Sequence, residues 1–165
     1  MALAKKPLSA EKALMRLETQ CAAKEICTHE AYEKLRRWIV PSDDARRVVE
    51  RLVELRFIDD SRFGRAFVRD KAVFARWGRF KIALALRQKG FNREMIDEAI
   101  ATIDEDSYLA TLDALVAAKS RQLADADTFE GRTKIFRFAA SRGFEPALIA
   151  AAIKRMKIRV DDSES

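Results

Sequence analysis

Apolar side chains return every three or four residues along most of the chain, as in Val48, Val49, Leu52 and Leu55, or Ile96, Ala99, Ile100 and Ile103. That spacing belongs to helices that bury one face. Helix-starting residues punctuate it. Ser9 is placed to cap a first helix carrying Ala13, Leu14 and Leu17, and Thr28 a second that ends near Trp38 and Ile39, before Pro41. Ser42 opens a third. Asp59 and Asp60 precede a fourth, which takes Phe63, Phe67 and Phe74 into the core. A fifth runs from about Gly78 to Lys89, Asn92 caps a sixth, and Asp104 or Asp106 starts a seventh bearing Leu109, Leu112, Leu115 and Val116. Thr128 starts an eighth, and Pro146 lies in the first turn of a ninth, where a missing N–H is tolerated. The pattern thus predicts nine helices with short links and no strand. Only five Gly and three Pro fit that reading, because a β-sandwich needs more turns.

The pattern repeats. Gly78–Ile103 laid over Gly131–Met156, an offset of 53, matches at nine of 26 positions, including Gly78/Gly131, Arg79/Arg132, Lys81/Lys134, Gly90/Gly143 and Phe91/Phe144. An earlier stretch joins at an offset of 47, where Lys34, Leu35, Val49, Leu52 and Val53 meet Lys81, Ile82, Ile96, Ala99 and Ile100. The unit is therefore about three helices, used three times, and such units stack into elongated surfaces. Gly90 and Gly143 follow helices and are suited to the left-handed conformation that closes them. The first unit carries Trp38-Ile39-Val40-Pro41 instead, so its second helix is expected to end by another route, forced by Pro41.

Charge sharpens the picture. The net +6 conceals a basic block from Arg62 to Arg93, with ten cations against one acid, Asp70. It is followed by an acidic block from Glu94 to Glu130, with ten acids against Lys119 and Arg121. Such segregation attracts polyanions or complementary proteins. In the basic block Phe74, Trp77 and Phe80 interleave with the cations, which suits phosphate neutralisation and, where an aromatic is exposed, base stacking. Trp77 and Phe80 flank a helix break and are open to either a core or a stacking role.

Chemistry that would point to an enzyme does not emerge. There is no phosphate-cradling Gly-rich loop. The lone His29 lies two residues from Cys27, too close along a helix for the two to face each other. Cys21, Cys27 and His29 have no second ligand pair for zinc. Asp59-Asp60 and Asp104-Glu105-Asp106 fall at helix starts, where carboxylates cap amides rather than hold a metal. Neither a run of about 18 apolar residues nor a signal-type stretch is seen, so no membrane association and a cytoplasmic location are expected.

The strings Leu55-Arg56-Phe57-Ile58-Asp59-Asp60-Ser61-Arg62-Phe63 and Ala66-Phe67-Val68 resemble a core motif of the RecX family of RecA modulators. Gly78-Arg79-Phe80-Lys81-Ile82 through Gly90 is similar to a second motif of that family, and Phe136 and Phe138 with Ser141-Arg142-Gly143-Phe144 to a third. The resemblance spans about residues 9 to 157. It implies an all-α fold of three tandem three-helix repeats, at 9–57, 58–104 and 105–158, forming an elongated, curved helical array with flexible termini at 1–8 and 159–165. From the residues, a non-enzymatic monomer without cofactor or metal is expected; the resemblance also implies a protein that lodges in the RecA–single-stranded DNA filament. There it would lower ATP hydrolysis, strand exchange and coprotease activity, restraining recombination and the SOS response. Direct DNA binding is expected to be weak. Candidate RecA- or DNA-binding residues are Arg69, Lys71, Arg76, Trp77, Arg79, Lys81, Arg87 and Lys89, with Arg132 and Lys134 in the third repeat. The acidic block would meet basic RecA surface. The alternatives are a helical DNA-binding protein acting independently of RecA, and a helical scaffold for some other protein.

Overall fold

A computed structural model describes residues 5–163, with side chains described over 5–157. Among the described residues there are nine α-helices and no strand: α1 (Ala10–Ala23), α2 (Thr28–Arg37), α3 (Ser42–Glu54), α4 (Asp60–Arg69), α5 (Arg79–Gln88), α6 (Arg93–Ile100), α7 (Glu105–Arg121), α8 (Phe129–Ser141) and α9 (Pro146–Ser163). A π-helical turn, Asp70–Phe74, continues α4. Of the termini expected to be flexible, residues 1–4 and 164–165 lie outside the described residues. Leu8 is tied down, its N–H donating to the Trp38 carbonyl at 3.0 Å, and α9 runs on to Ser163.

The caps explain where helices begin. Side-chain oxygens of Ser9, Asp59, Asn92, Asp104 and Thr128 accept from amides three residues on, at 3.3, 3.0, 2.9, 2.9 and 3.0 Å. Thr28 is not a cap: it is the first residue of α2, and its N–H donates to Asp60 Oδ1 at 2.8 Å. Asp59 caps α4, and Asp60 satisfies the start of α2 from the next unit.

Each group of three helices closes its own core. α3 packs on α1 and α2 around Leu17, Leu35, Leu52 and Ile58. α4 and α5 pack on α6 around Phe63, Ile82, Leu86 and Phe91. α7, α8 and α9 pack mutually around Tyr108, Leu112, Ile135 and Phe144. Two residues cross the seams: Cys27 is buried in the second core, and Ile103 packs against both the second and the third. The accessible surface is 11005 Å², against about 8,300 Å² for a compact chain of this mass. Three small cores in series, rather than one large one, leave that much surface exposed.

The first unit's helix does not end by another route. Ile39 takes the left-handed conformation at φ 56°, as Gly90 and Gly143 do at 79° and 93°. The next amide then reaches back to the same carbonyl in all three units: Val40 to Leu35, Phe91 to Leu86, and Phe144 to Ala139, at 3.0, 3.1 and 3.3 Å. Matching Ile39 to Gly90 sets the offset at 51, not 47. Buried positions then agree, with Ala31, Ile82 and Ile135 all 0% exposed, and likewise Leu35, Leu86 and Ala139. The misreading has a simple cause. A slip of four residues is close to one helical turn and keeps the apolar face, so periodicity alone does not fix the register.

Candidate functional site

The basic segment builds two different things. The first is a pair of joints between units. Where the first unit meets the second, Arg62 Nε donates to Glu25 Oε1 at 2.6 Å, and its terminal nitrogens reach the carbonyls of Arg56 and Phe57. Lys89 Nζ lies 2.7 Å from Glu30 Oε1, with its ammonium over the Phe63 and Phe67 rings. Where the second meets the third, main chains touch: Gly78 N–H donates to the Arg142 carbonyl at 2.7 Å and Phe80 N–H to the Gly143 carbonyl at 3.0 Å. Arg79 is clasped by Glu145 at 3.0 Å and by Glu105, and its guanidinium lies 4.0 Å from the Tyr108 ring centroid. Its N–H donates to the Tyr108 hydroxyl, which donates in turn to Glu145 Oε2 at 2.6 Å.

Titration behaviour follows from these contacts. Burial, the largest influence on Arg79, opposes its charge, but hydrogen bonds to Glu145 and Glu105 outweigh burial and raise its pKa. Burial, reinforced by the hydrogen bond to Glu145, holds the Tyr108 hydroxyl far above its ordinary value. Cys27 and Cys21 are free thiols, and burial pushes Cys27 up to about 11. No three His, Cys, Asp or Glu side chains gather as a metal site among the described residues.

The second thing built is an exposed strip on α4, the π-turn and α5. Among the described residues Arg69, Arg76, Lys81 and Arg87 form no ion pair with a carboxylate. The Lys71 and Lys81 ammoniums sit 4.9 and 4.5 Å from the Trp77 ring centroid, so Trp77 packs on the core as the platform for two cations. Arg132 donates to the Asp127 carbonyl, and Lys134 pairs with Asp125 at 3.1 Å. The structure therefore brings Lys71, Trp77 and Lys81 together on the second unit, with Lys71 also 3.7 Å from Asp70; Arg76 and Arg87 are exposed on the same unit, and Arg69 lies with Arg65 in a cleft against α7. It assigns Arg79 and Lys89 to the joints and leaves Arg132 and Lys134 on the third unit, held by local partners. The acidic block is likewise partly spent internally, through Glu105 on Arg79, Asp113 on Arg155 and Asp125 on Lys134.

Aromatic placement corrects one expectation. Phe63 is buried and Phe67 packs on the second core, but Phe74 is 77% exposed. The π-turn takes one extra residue per turn, which throws Phe74 out of phase with the helix that precedes it. Phe80 and Leu84 are also exposed, one turn apart on α5, with Arg87 next along the same face. The sequence carries no signal for Leu84, since an apolar residue in an amphipathic helix reads as core. No helix among the described residues is long and apolar enough to cross a membrane.

Comparison with known proteins adds independent observations. A family model for the second three-helix domain of RecX matches residues 59–100. A regulatory protein RecX of Chlorobium phaeobacteroides is 34% identical over 128 residues, covering 78% of this chain and 79% of that protein. One from Clostridium tetani is 32% identical over 119 residues, covering 70% of this chain and 53% of its own length. One from Mycolicibacterium vanbaalenii is 32% identical over 114 residues, covering 66% and 62%. Against the last two the chain spans only a little over half of the relative's length. The crystal structure of RecX from Lactobacillus salivarius superposes with a TM-score of 0.81 at 18% identity, over 90% of this chain and 97% of that one, which bears on the fold alone.

Proposed function

The chain belongs to the RecX family of regulatory proteins, and we propose that it lies in the groove of a RecA–single-stranded DNA filament and restrains RecA's ATP hydrolysis, strand exchange and coprotease activity. The observation that carries the reading is the strip on the second unit. There, cations with no carboxylate partner among the described residues stand among exposed apolar side chains. Unpaired cations are available to phosphates or to acidic protein surface, and exposed Phe74 and Phe80 are available to bases or apolar contacts. Arg79 and Lys89 act indirectly in this reading, by holding the units at the angle that presents the strip.

The test is RecA's DNA-dependent ATPase, titrated with this protein and with a charge-reversed variant. Arg76→Glu, Lys81→Glu and Arg87→Glu together are the right set, because reversing Arg79 would break a joint as well. We expect inhibition by the parent chain, weakened in the variant, with helical circular dichroism retained. Equal inhibition by both removes this strip from the mechanism, and no inhibition by either defeats the filament reading. Binding to naked DNA should fall steeply with salt, since phosphate contacts dominate it.

A further inference from the structure

We propose that the cleft between α4 and the start of α7 is a docking site for an acidic segment of a protein partner that inserts a large apolar side chain. The cleft has a volume of about 620 Å³ and is lined by residues of all three units, with Ala66, Ala72 and Val73 on one wall and Ile103 and Thr111 on the other. That is within the size range of sites that hold a few side chains of a ligand. Its rim is positive. Arg65 and Arg69, one turn apart on α4, have no carboxylate partner among the described residues; Arg65 meets only the Ser61 hydroxyl, at 2.8 Å. The two acids nearby are already engaged, Glu25 with Arg62 and Asp104 with the Ser107 amide.

One further observation points the same way. The π-turn, a local departure from the α-helix of the kind that recurs at functional sites, places Val73 in the cleft while leaving it 58% exposed. A peptide is favoured over a nucleic acid because the aromatic in the lining, Tyr108, is buried and hydrogen-bonded, and so offers no stacking face. This deepens the filament reading and rests on it, in that the partner has a protein component.

The test is a titration of the ¹⁵N-labelled chain with the peptide acetyl-Glu-Asp-Phe-Leu-Asp-Glu-amide, followed by amide chemical shifts. Expected are saturable shifts at Ala66, Val73 and Ile103, with affinity lowered about tenfold in R65E/R69E and also lowered in Val73→Asp. All three substitutions are at exposed positions, so the spectra should stay dispersed. Equal binding of a peptide with Ser in place of Phe-Leu would overturn the proposal, as would stronger shifts of the same amides by a thymidine oligonucleotide. The chain carries an acidic, apolar segment of its own at Asp127–Glu130, where Phe129 is 80% exposed. A sedimentation mass that rises with concentration and falls in R65E/R69E would therefore assign the cleft to a second copy and also overturn the proposal. No filament is present in this experiment. Failure here with ATPase inhibition intact sinks only the cleft, and peptide binding without ATPase inhibition sinks only the filament reading.

Discussion

The two joints of the array solve the same problem with different materials. Between the first and second units the contacts are made by side chains: Asp60 on the Thr28 amide, Arg62 on Glu25 and Lys89 on Glu30. Between the second and third, backbone meets backbone at Gly78 and Gly143, and a partly buried Arg79–Tyr108–Glu145 cluster seals the contact. The left-handed residue after each unit's second helix records the difference. Gly143 presses on Lys81, whereas a Cβ on Gly90 would meet His29 only at an ordinary 3.6 Å. Ile39 keeps a side chain that is 47% exposed. Side-chain joints can yield by rotamer changes; a main-chain joint yields only by separating.

Replacing Gly143 with Ala should have the largest effect, about 3 kcal/mol or more, because the added Cβ collides with Lys81 and the backbone is left-handed. Gly90→Ala should carry the backbone strain alone, about 1–2 kcal/mol. Denaturant unfolding of both variants measures the contrast, and equal losses would break it. Tyr108→Phe comes next, at about 1–3 kcal/mol, since Glu145 Oε2 and the Arg79 amide each lose a partner. Limited proteolysis should then cut the link between α6 and α7 faster.

A smaller effect depends on pH. The Arg62 amide holds the Asp59 carboxyl below the ordinary aspartate range. Its contribution is therefore present above that range and is lost as pH falls through the depressed value. Asp59→Asn keeps a good cap, so stability near neutrality should hardly change while the acid-side slope becomes shallower. Asp59→Ala should cost about 0.5–2 kcal/mol at neutral pH. Ile39→Gly should have the smallest effect, a gain below about 1 kcal/mol, as relief of left-handed strain exceeds the entropy cost of glycine. A raised melting temperature would confirm that the exposed end of α2 tolerates strain the joints do not.

Helix positions, five of the caps and the Gly-Phe closures were legible in the chain because they depend on residues within one or two turns of each other. The Asp59-Asp60 pair was half legible: a cap at one residue follows from local chemistry, but the second carboxylate's target is 32 residues away. The strip was legible as composition. Which cations remain free was not, because Arg79 and Lys89 find their acids 26 to 66 residues distant.

Local spacing and capping were enough to determine the nine helices of the described residues in three repeats, and the family motifs were enough to determine kinship. Tertiary structure alone decided the first unit's register, the outward turn of Phe74 and the division of the cations between joints and surface. The reason is physical. A helix is stabilised by neighbours a few residues away, but whether a charge is spent or available depends on what the folded chain brings beside it.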